Sequence, residues 1–187
     1  MTDNIEIEYK QMVDNAQYLK VKSYLLANYN VQTIEQTNHY FVDNDGELAQ
    51  REMALRIREK NGTYEICLKA AGAQAILEKN IIITKVEFDK IMAQPNRLNQ
   101  YYDELAYDLR YVGQLHTKRL ETQWQGNTLC LDKSNYLNNE DYEIEFEAKD
   151  FKQEQLLKVW LSDLDIKYKP NKLSKIGRFL KALNNVK

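Results

Sequence analysis

Apolar and polar residues alternate along eight segments of this chain. The segments are 4–13, 33–43, 53–60, 63–71, 74–84, 111–125, 127–133 and 141–149. A period of two predicts β-strands, because successive side chains of a strand point to opposite faces. Several connections are short, and short connections predict antiparallel neighbours, because a parallel pair needs a crossover of about a dozen residues or more. The pattern therefore predicts a mainly antiparallel sheet of about eight strands.

Two tight turns support this interpretation. Asn61-Gly62 joins 53–60 to 63–71 as a two-residue hairpin loop, because Asn and Gly tolerate the positive φ angles of a type I′ turn. Gln125-Gly126-Asn127 predicts a second tight reversal, before the segment 127–133. Segments that follow one another in sequence are therefore expected to pair.

Four amphipathic segments predict helices. Their expected starts are Asp14, Thr84, Asp150 and Asn171. Glu87 follows Thr84 by three residues in a capping-box pattern, and Pro95 is expected to end that helix. The last helix is expected to run to about Leu183. A further helix-like stretch, 98–109, is interpreted as an insertion packed beside the sheet.

Bulk properties bound the class of protein. The 187 residues have 43% hydrophobic and 29% charged side chains, which is ordinary globular composition, and we expect one domain over 1–187. A net charge of −2 argues against a basic surface for duplex nucleic acid. No stretch approaches the roughly 20 apolar residues of a membrane span, and the first residues do not resemble a signal peptide. We therefore expect a cytoplasmic protein, with Cys67 and Cys130 as buried free thiols.

Charged residues are grouped by sign on the polar faces of the strands. The carboxylate pairs are Glu6 with Glu8 and Glu143 with Glu145, the cationic pair is Arg56 with Arg58, and Lys10 and Lys69 lie on the same kind of face. Carboxylates that are close on one strand face repel each other unless a cation lies between them. Hard divalent ions bind such carboxylates together with substrate phosphates, and arginine donates two hydrogen bonds to one phosphate. For each residue taken alone, a solvated face or a cross-strand ion pair remains the alternative.

A sheet with one charged and one apolar face can be arranged in two ways. It is either open, with the charged face in solvent, or closed into a barrel with a polar lumen. The amphipathic helices need an apolar surface to cover, and the outer faces of a closed sheet supply one. We therefore predict an α+β fold, a single eight-stranded antiparallel β-barrel with helices packed on the outside.

Several motifs follow one another in a recognisable order. They are Glu6-Ile7-Glu8-Tyr9-Lys10, the stretch HYFVDNDGELAQREMALRIREKNGTYEICLK, Arg119 in TKR, Asp132, YEIEFE and KLSKIGRF. Over nearly the whole chain this order resembles the CYTH, or triphosphate tunnel metalloenzyme, superfamily. The resemblance implies an eight-stranded barrel whose lumen binds a triphosphate together with Mg²⁺ or Mn²⁺.

The resemblance also implies roles for individual residues. Glu6, Glu8, Glu143 and Glu145 would hold the metal, and Arg56, Arg58, Lys69, Arg119 and Lys175 would bind phosphate. Lys10 would bind phosphate or orient the attacking group, and Asp132 would lie near the metal or orient a cationic neighbour. Glu78 is assigned to a further family glutamate, although 74–79 lacks the arginine expected before it. Lys175 is preferred to Lys172 because it follows Ser174.

Members of this superfamily include inorganic, nucleoside, RNA and thiamine triphosphatases and class IV adenylate cyclases. The expected function is metal-dependent hydrolysis that releases orthophosphate from inorganic triphosphate or a small organic or nucleoside triphosphate. The alternatives are a cyclase that makes cyclic AMP and diphosphate from ATP, and a non-catalytic polyphosphate- or nucleotide-binding module. The expected partner is a small molecule that contains a triphosphate, without duplex nucleic acid or membrane, and the protein is expected to be a monomer or homodimer.

Overall fold

The computed structural model describes residues 2–71 and 75–185. The strands are β1 (Thr2–Val13), β2 (Gln32–Asp43), β3 (Met53–Lys60), β4 (Thr63–Ala71), β5 (Ile76–Ile83), β6 (Leu109–Trp124), β7 (Asn127–Tyr136) and β8 (Asn139–Ala148). The α-helices are α1 (Asn15–Asn28), α2 (Glu47–Gln50), α3 (Lys85–Ala93), α4 (Glu154–Asp163) and α5 (Lys175–Asn185). Short 3-10 helices lie at Pro95–Gln100 and Phe151–Gln153. Within the described ranges, every helix is too short or too polar to cross a lipid bilayer.

The eight strands close into a barrel in the order β1-β5-β4-β3-β2-β6-β7-β8. The strands pair antiparallel in β1–β8, β2–β3, β3–β4, β4–β5, β6–β7 and β7–β8. The predicted eight-stranded antiparallel barrel with helices outside is therefore confirmed. The predicted strand 74–84 corresponds to β5, and Gln74 lies outside the described residues.

The tight turns have the backbone angles that their residues predict. Asn61 and Gly62 have φ of 51° and 75° between β3 and β4, and Gln125 and Gly126 have 52° and 75° between β6 and β7. Positive φ is the left-handed region, which Asn and Gly enter at the lowest cost. These turns fix the register of both hairpins.

The chain divides into two compact units. The first unit comprises Met1–Ile5 and Gln36–Leu115, and the second comprises Glu6–Glu35 and His116–Lys187. Each unit has its own cluster of buried apolar residues. A single domain over 1–187 stays a prediction.

In the second unit, apolar side chains of the strands pack against α1 and α4. Leu129, Leu131, Ile144 and Phe146 of β7 and β8 are fully buried in this core. The helices contribute buried side chains to the same core: Tyr18, Val21, Leu25, Leu157, Trp160 and Leu161. The residues between the apolar ones on each strand point to the opposite face, which carries the charges.

In the first unit, the apolar side chains of β2 to β5 pack against α2, α3 and the segment that follows α3. Leu55, Ile57 and Ile66 are fully buried in this core. Phe88 and Ile91 of α3 cover them from one side. Again the apolar face lies toward the helices, so Arg56 and Arg58 of β3 are on the other face.

The predicted helix starts at Asp14, Thr84 and Asp150 are confirmed, since Asp150 caps the 3-10 helix Phe151–Gln153 that leads into α4, and the last start needs correction. Asp14 and Thr84 cap α1 and α3, and each side chain accepts a hydrogen bond from a backbone N–H of the first turn. The last helix begins at Lys175 rather than Asn171. The stretch 98–109 packs against the strands as expected, since Leu98, Tyr102 and Leu105 are buried in the core of the first unit, but only 98–100 are helical, as the end of the 3-10 helix Pro95–Gln100.

Candidate functional site

The charged face of the second unit is assembled from four strands. Its residues are Glu6, Glu8 and Lys10 of β1, Arg119 of β6, Asp132 of β7, and Glu143, Glu145 and Glu147 of β8. The register places Lys10 opposite Glu145, Arg119 opposite Asp132, and Asp132 opposite Glu143. Directly opposed residues share a face and lie about 5 Å apart, so these charges form one cluster.

Lys175, the first residue of α5, brings its ammonium into this cluster. Its Nζ lies 2.8 Å from Oδ2 of Asp132, 2.8 Å from Oε2 of Glu143 and 2.6 Å from Oε1 of Glu145. Asp132 and Glu143 are fully buried. Lys172 is exposed, so the structure places Lys175, and not Lys172, among the carboxylates.

The segment before α5 is held against β1. Gln11 donates from Nε2 to the carbonyl of Lys167 and accepts from the backbone N–H of Lys169. Asn171 donates from its backbone N–H to the carbonyl of Lys10 and from Nδ2 to Oε1 of Glu143, both within 2.8 Å. These bonds fix the point at which α5 starts, and therefore the position of Lys175.

Arg119 donates two parallel hydrogen bonds to Asp132. Its Nε and Nη2 lie 2.8 Å from Oδ1 and Oδ2, and Nη2 also contacts Glu145. This fork-to-carboxylate geometry fixes the plane of the guanidinium. Asp132 therefore fixes the position of the Arg119 guanidinium, and its role in the site stays a prediction.

Arg178 and Asp141 belong to the same network and were not predicted from the sequence. Arg178 donates from Nε to Oδ2 of Asp141 at 2.8 Å and from Nη1 and Nη2 to the two oxygens of Glu143 at 3.1 Å. Arg178 follows Lys175 by three residues on α5, which places both side chains on one face of the helix. That spacing is the signal that sequence reasoning missed.

Glu145 and Lys175 are held in their charged forms by the opposite charges around them. Burial acts to raise the pKa of Glu145, but Lys175 and Arg119 together hold that pKa well below its usual range. Burial acts to lower the pKa of Lys175, but Asp132, Glu145 and Glu143 together raise it well above its usual value. A buried charge is tolerated when it is paired and hydrogen-bonded, and both conditions are met here.

The carboxylate oxygens of this cluster are suitable ligands for a hard divalent cation, because Mg²⁺ and Mn²⁺ prefer such oxygens. In the described arrangement the central cation is the Lys175 ammonium. Across residues 2–71 and 75–185, no three His, Cys, Asp or Glu side chains are spaced to hold a metal ion as they stand. A metal ion that binds here would therefore need further ligands from the phosphate groups or from water.

The charged face of the first unit is predominantly basic. Arg56 and Arg58 of β3 lie on it with Lys69 of β4 and the buried Glu78 of β5. Glu78 lies 2.8 Å from Nζ of Lys69 and 3.8 Å from Nη2 of Arg56. The structure thus brings Glu78 together with two of the predicted phosphate-binding residues.

Each of the two charged clusters has a free cysteine next to it. Cys67 is opposite Arg56 in the register, and Cys130 is opposite Glu145. Both are free and buried, as the sequence predicts. Burial raises the pKa of Cys67 to about 12 despite the nearby Arg56, so its thiol stays protonated at neutral pH.

Known proteins resemble this chain along nearly its whole length. The CYTH domain family model matches residues 4–180. YjbK from Bacillus subtilis (strain 168), whose name provisionally assigns it as a triphosphatase, is 34% identical over 184 residues, which is 96% of each protein.

Two solved structures share the fold. A provisionally assigned adenylate cyclase from Bacillus halodurans has a TM-score of 0.81 and 30% identity, over 96% of this chain and 99% of that one. HpAC1 from Hippeastrum, described as having a dominant triphosphatase activity, has a TM-score of 0.77 and 22% identity, over 95% of both chains. The family match, the sequence identity and the barrel agree, and the chain belongs to the CYTH domain family.

Proposed function

We propose that this protein is a metal-dependent hydrolase that releases orthophosphate from inorganic triphosphate or from a small organic or nucleoside triphosphate. The observation that carries the proposal is the buried cluster in which Asp132, Glu143 and Glu145 surround Lys175, and in which Asp132 and Glu145 also contact Arg119. Cations alone would suffice to bind an anion. Carboxylates buried among those cations are useful when they bind a metal ion that accompanies the phosphate groups.

Glu6, Glu8, Glu143 and Glu145 are the proposed ligands of Mg²⁺ or Mn²⁺. When bound, the ion would neutralise charge on the phosphate oxygens and make a coordinated water more acidic. The similarity to YjbK supports the same class of activity.

Arg56, Arg58, Lys69, Arg119 and Lys175 are the proposed phosphate-binding residues. Phosphoryl transfer needs mainly positioning and charge neutralisation, which fixed guanidinium and ammonium groups supply. Asp132 would act as a positioning residue, since it holds Arg119 through both carboxylate oxygens. Lys10, whose Nζ lies 2.6 Å from Oε1 of Glu8, would bind the phosphate or orient the attacking water. In the reaction, water adds to the terminal phosphorus, the bond to the bridging oxygen breaks, and orthophosphate leaves the shortened phosphate chain.

A product assay tests this proposal. Purified protein is incubated with inorganic triphosphate, ATP, GTP or thiamine triphosphate, each with Mg²⁺, Mn²⁺ or EDTA, and the products are identified. We expect orthophosphate from at least one substrate, and no release in EDTA. Absence of orthophosphate under every condition would overturn the proposal.

The second candidate is an adenylate cyclase, because the Bacillus halodurans structure carries that name at 30% identity. A cyclase would break the bond between the α- and β-phosphates, after attack by the ribose hydroxyl on the α-phosphorus. The same assay distinguishes the two, because cyclic AMP and diphosphate from ATP, in place of orthophosphate, would establish the cyclase.

A further inference from the structure

The first unit contains a buried amide group that the protein itself does not satisfy. Asn38 of β2 has 0% of its surface exposed. Neither its Nδ2 nor its Oδ1 has a hydrogen-bond partner within the part of the chain that the structure describes. Buried polar side chains are nearly always hydrogen-bonded, so such an amide calls for an explanation.

Asn38 lies beside the basic residues of the first unit. The register places it directly opposite Arg58, and the next residue on the same face, Tyr40, is opposite Arg56. Nε of Arg58 and both Nε and Nη2 of Arg56 are likewise buried without a hydrogen-bond partner among the described residues. Unused donors of three neighbouring side chains are therefore concentrated on one face of β2 and β3.

The choice of an amide at this position has a chemical consequence. An aspartate opposite Arg58 would accept its hydrogen bonds and cancel its charge, whereas asparagine adds donors without adding negative charge. The charged groups on the paired faces of β3, β4 and β5 are Arg56, Arg58, Lys60, Lys69, Glu65 and Glu78. The two carboxylates are each within 4 Å of a basic group, and the guanidinium donors next to Asn38 remain available for an anion.

From these contacts we infer that Asn38 is a substrate-binding residue, which donates from Nδ2 to a phosphate oxygen beside Arg58. This inference rests on the proposed function, because it takes a triphosphate as the ligand. Phosphate oxygens accept the hydrogen bonds that Asn38, Arg56 and Arg58 leave unused. The Oδ1 atom accepts a hydrogen bond from a P–OH group or from a water bound with the ligand.

The test measures binding without turnover. Calorimetry gives the Kd for inorganic triphosphate in EDTA for the wild type, Asn38→Ala and Asn38→Asp. Hydrogen bonds to charged groups are strong, so Asn38→Ala is expected to raise Kd by about tenfold or more. Asn38→Asp, which has the same shape but a negative charge and no amide donor, is expected to raise Kd further.

A matched control separates binding from structure. Asn127 is also buried, but it is satisfied: it donates to the carbonyl of Gln125 and accepts from the backbone N–H of Lys149. Asn127→Ala should lower Tm and leave Kd unchanged. Asn38→Ala should raise Kd and leave Tm unchanged, since it removes no internal hydrogen bond of the free protein.

The outcomes are distinct. If the wild type binds triphosphate and both Asn38 variants bind it equally well, the role of Asn38 is wrong. A fall in Tm with an unchanged Kd would likewise assign Asn38 to structure alone. If the wild type binds triphosphate but hydrolyses nothing, the proposed hydrolase activity fails, while a weaker Kd in the variants still supports Asn38. If the wild type does not bind triphosphate in EDTA, the inference that Asn38 and the neighbouring arginines bind phosphate without a metal is wrong, and orthophosphate release with Mg²⁺ or Mn²⁺ decides the hydrolase proposal separately.

Discussion

The Nζ atom of Lys175 lies 2.6 Å from Oε1 of Glu145, so a lysine at the start of α5 is paired with a carboxylate of β8. The same ammonium lies 2.8 Å from Asp132 and from Glu143. These are oxygens that a divalent cation would also use. We therefore expect Lys175 and a divalent cation to compete for one set of carboxylates.

Lys175→Met tests this competition. Without the ammonium, three buried carboxylates repel one another, so Tm in EDTA should fall. Mn²⁺ should then raise the Tm of the variant by more than it raises that of the wild type, because no ammonium has to be displaced. Thermal unfolding with and without Mn²⁺ measures both effects. Lys172→Met is the control, since Lys172 is exposed, and equal Mn²⁺ responses in all three proteins would contradict the expectation.

Arg58→Ala tests the basic face of the first unit. Loss of a preorganised donor to a reacting anion typically lowers kcat by about 100-fold or more, and we expect an effect of that size on phosphate release. Steady-state kinetics on the best substrate of the panel measures it. Arg110→Ala removes an exposed arginine of β6 and should leave the rate unchanged. A full rate in Arg58→Ala would remove Arg58 from the proposed site.

Asp43 gives a pH-dependent contribution to stability. Its carboxylate accepts hydrogen bonds from the backbone N–H groups of Glu47 at 2.7 Å and Leu48 at 3.0 Å, which order the start of α2. Burial acts to raise the pKa of Asp43, but the hydrogen bonds from Leu48 and Glu47 lead to a net lowering. Because the folded pKa lies below the unfolded value of about 3.9, this contribution is present above that pH and is lost as pH falls through the folded pKa.

Asp43→Asn should therefore lower the free energy of unfolding by about 1–3 kcal/mol at pH 7. The difference from wild type should narrow near pH 3. Urea unfolding at the two pH values measures it. Asp45→Asn, at an exposed neighbouring position, should match the wild type at both. A difference that is constant with pH would show that the charge of Asp43 contributes nothing.

Ile144→Ala tests the division between the two faces of β8. Ile144 is fully buried in the core beneath α1 and α4, so the truncation should cost about 2–5 kcal/mol of unfolding free energy. At temperatures well below Tm, we expect its Kd for inorganic triphosphate to match that of the wild type. Chemical denaturation and calorimetry check the two expectations, and a large change in Kd would mean that the faces are coupled.

The sequence predicted the charged face well because a strand has a strict period. Once Leu55 and Ile57 are placed on the core side, Arg56 and Arg58 can point only to the other side. Short turns then determine which strands are neighbours. This local information was enough to predict the barrel and the residues on its charged faces.

The predicted start of α5 was wrong because Asn171 makes tertiary hydrogen bonds and does not cap the helix. As a polar residue before an apolar pattern it resembles an N-cap, but its side chain bonds Glu143 and the backbone of Leu173. The chain there is held against β1 by hydrogen bonds to Gln11 and Lys10. Such tertiary hydrogen bonds leave no trace in periodicity.

The helix-like structure predicted for 98–109 is absent beyond Gln100 for a related reason. Its apolar residues have helical spacing and Leu98 and Leu109 are buried, yet side chains replace the helical hydrogen bonds. Asn96 accepts from the backbone N–H of Leu109, and Asn99 donates to the carbonyl of Tyr107. Asparagine side chains often compete with regular backbone structure in this way.

The alternation along β8 also bears on how such proteins diverge. Ile144 and Glu145 are adjacent in the chain, yet one belongs to the core and the other to the charge network. We expect a substitution of Glu145 to change the charge network while the packing under the helices is untouched. Adjacent positions of one strand therefore have separate physical requirements, and the chemistry of the charged face can change without a new core.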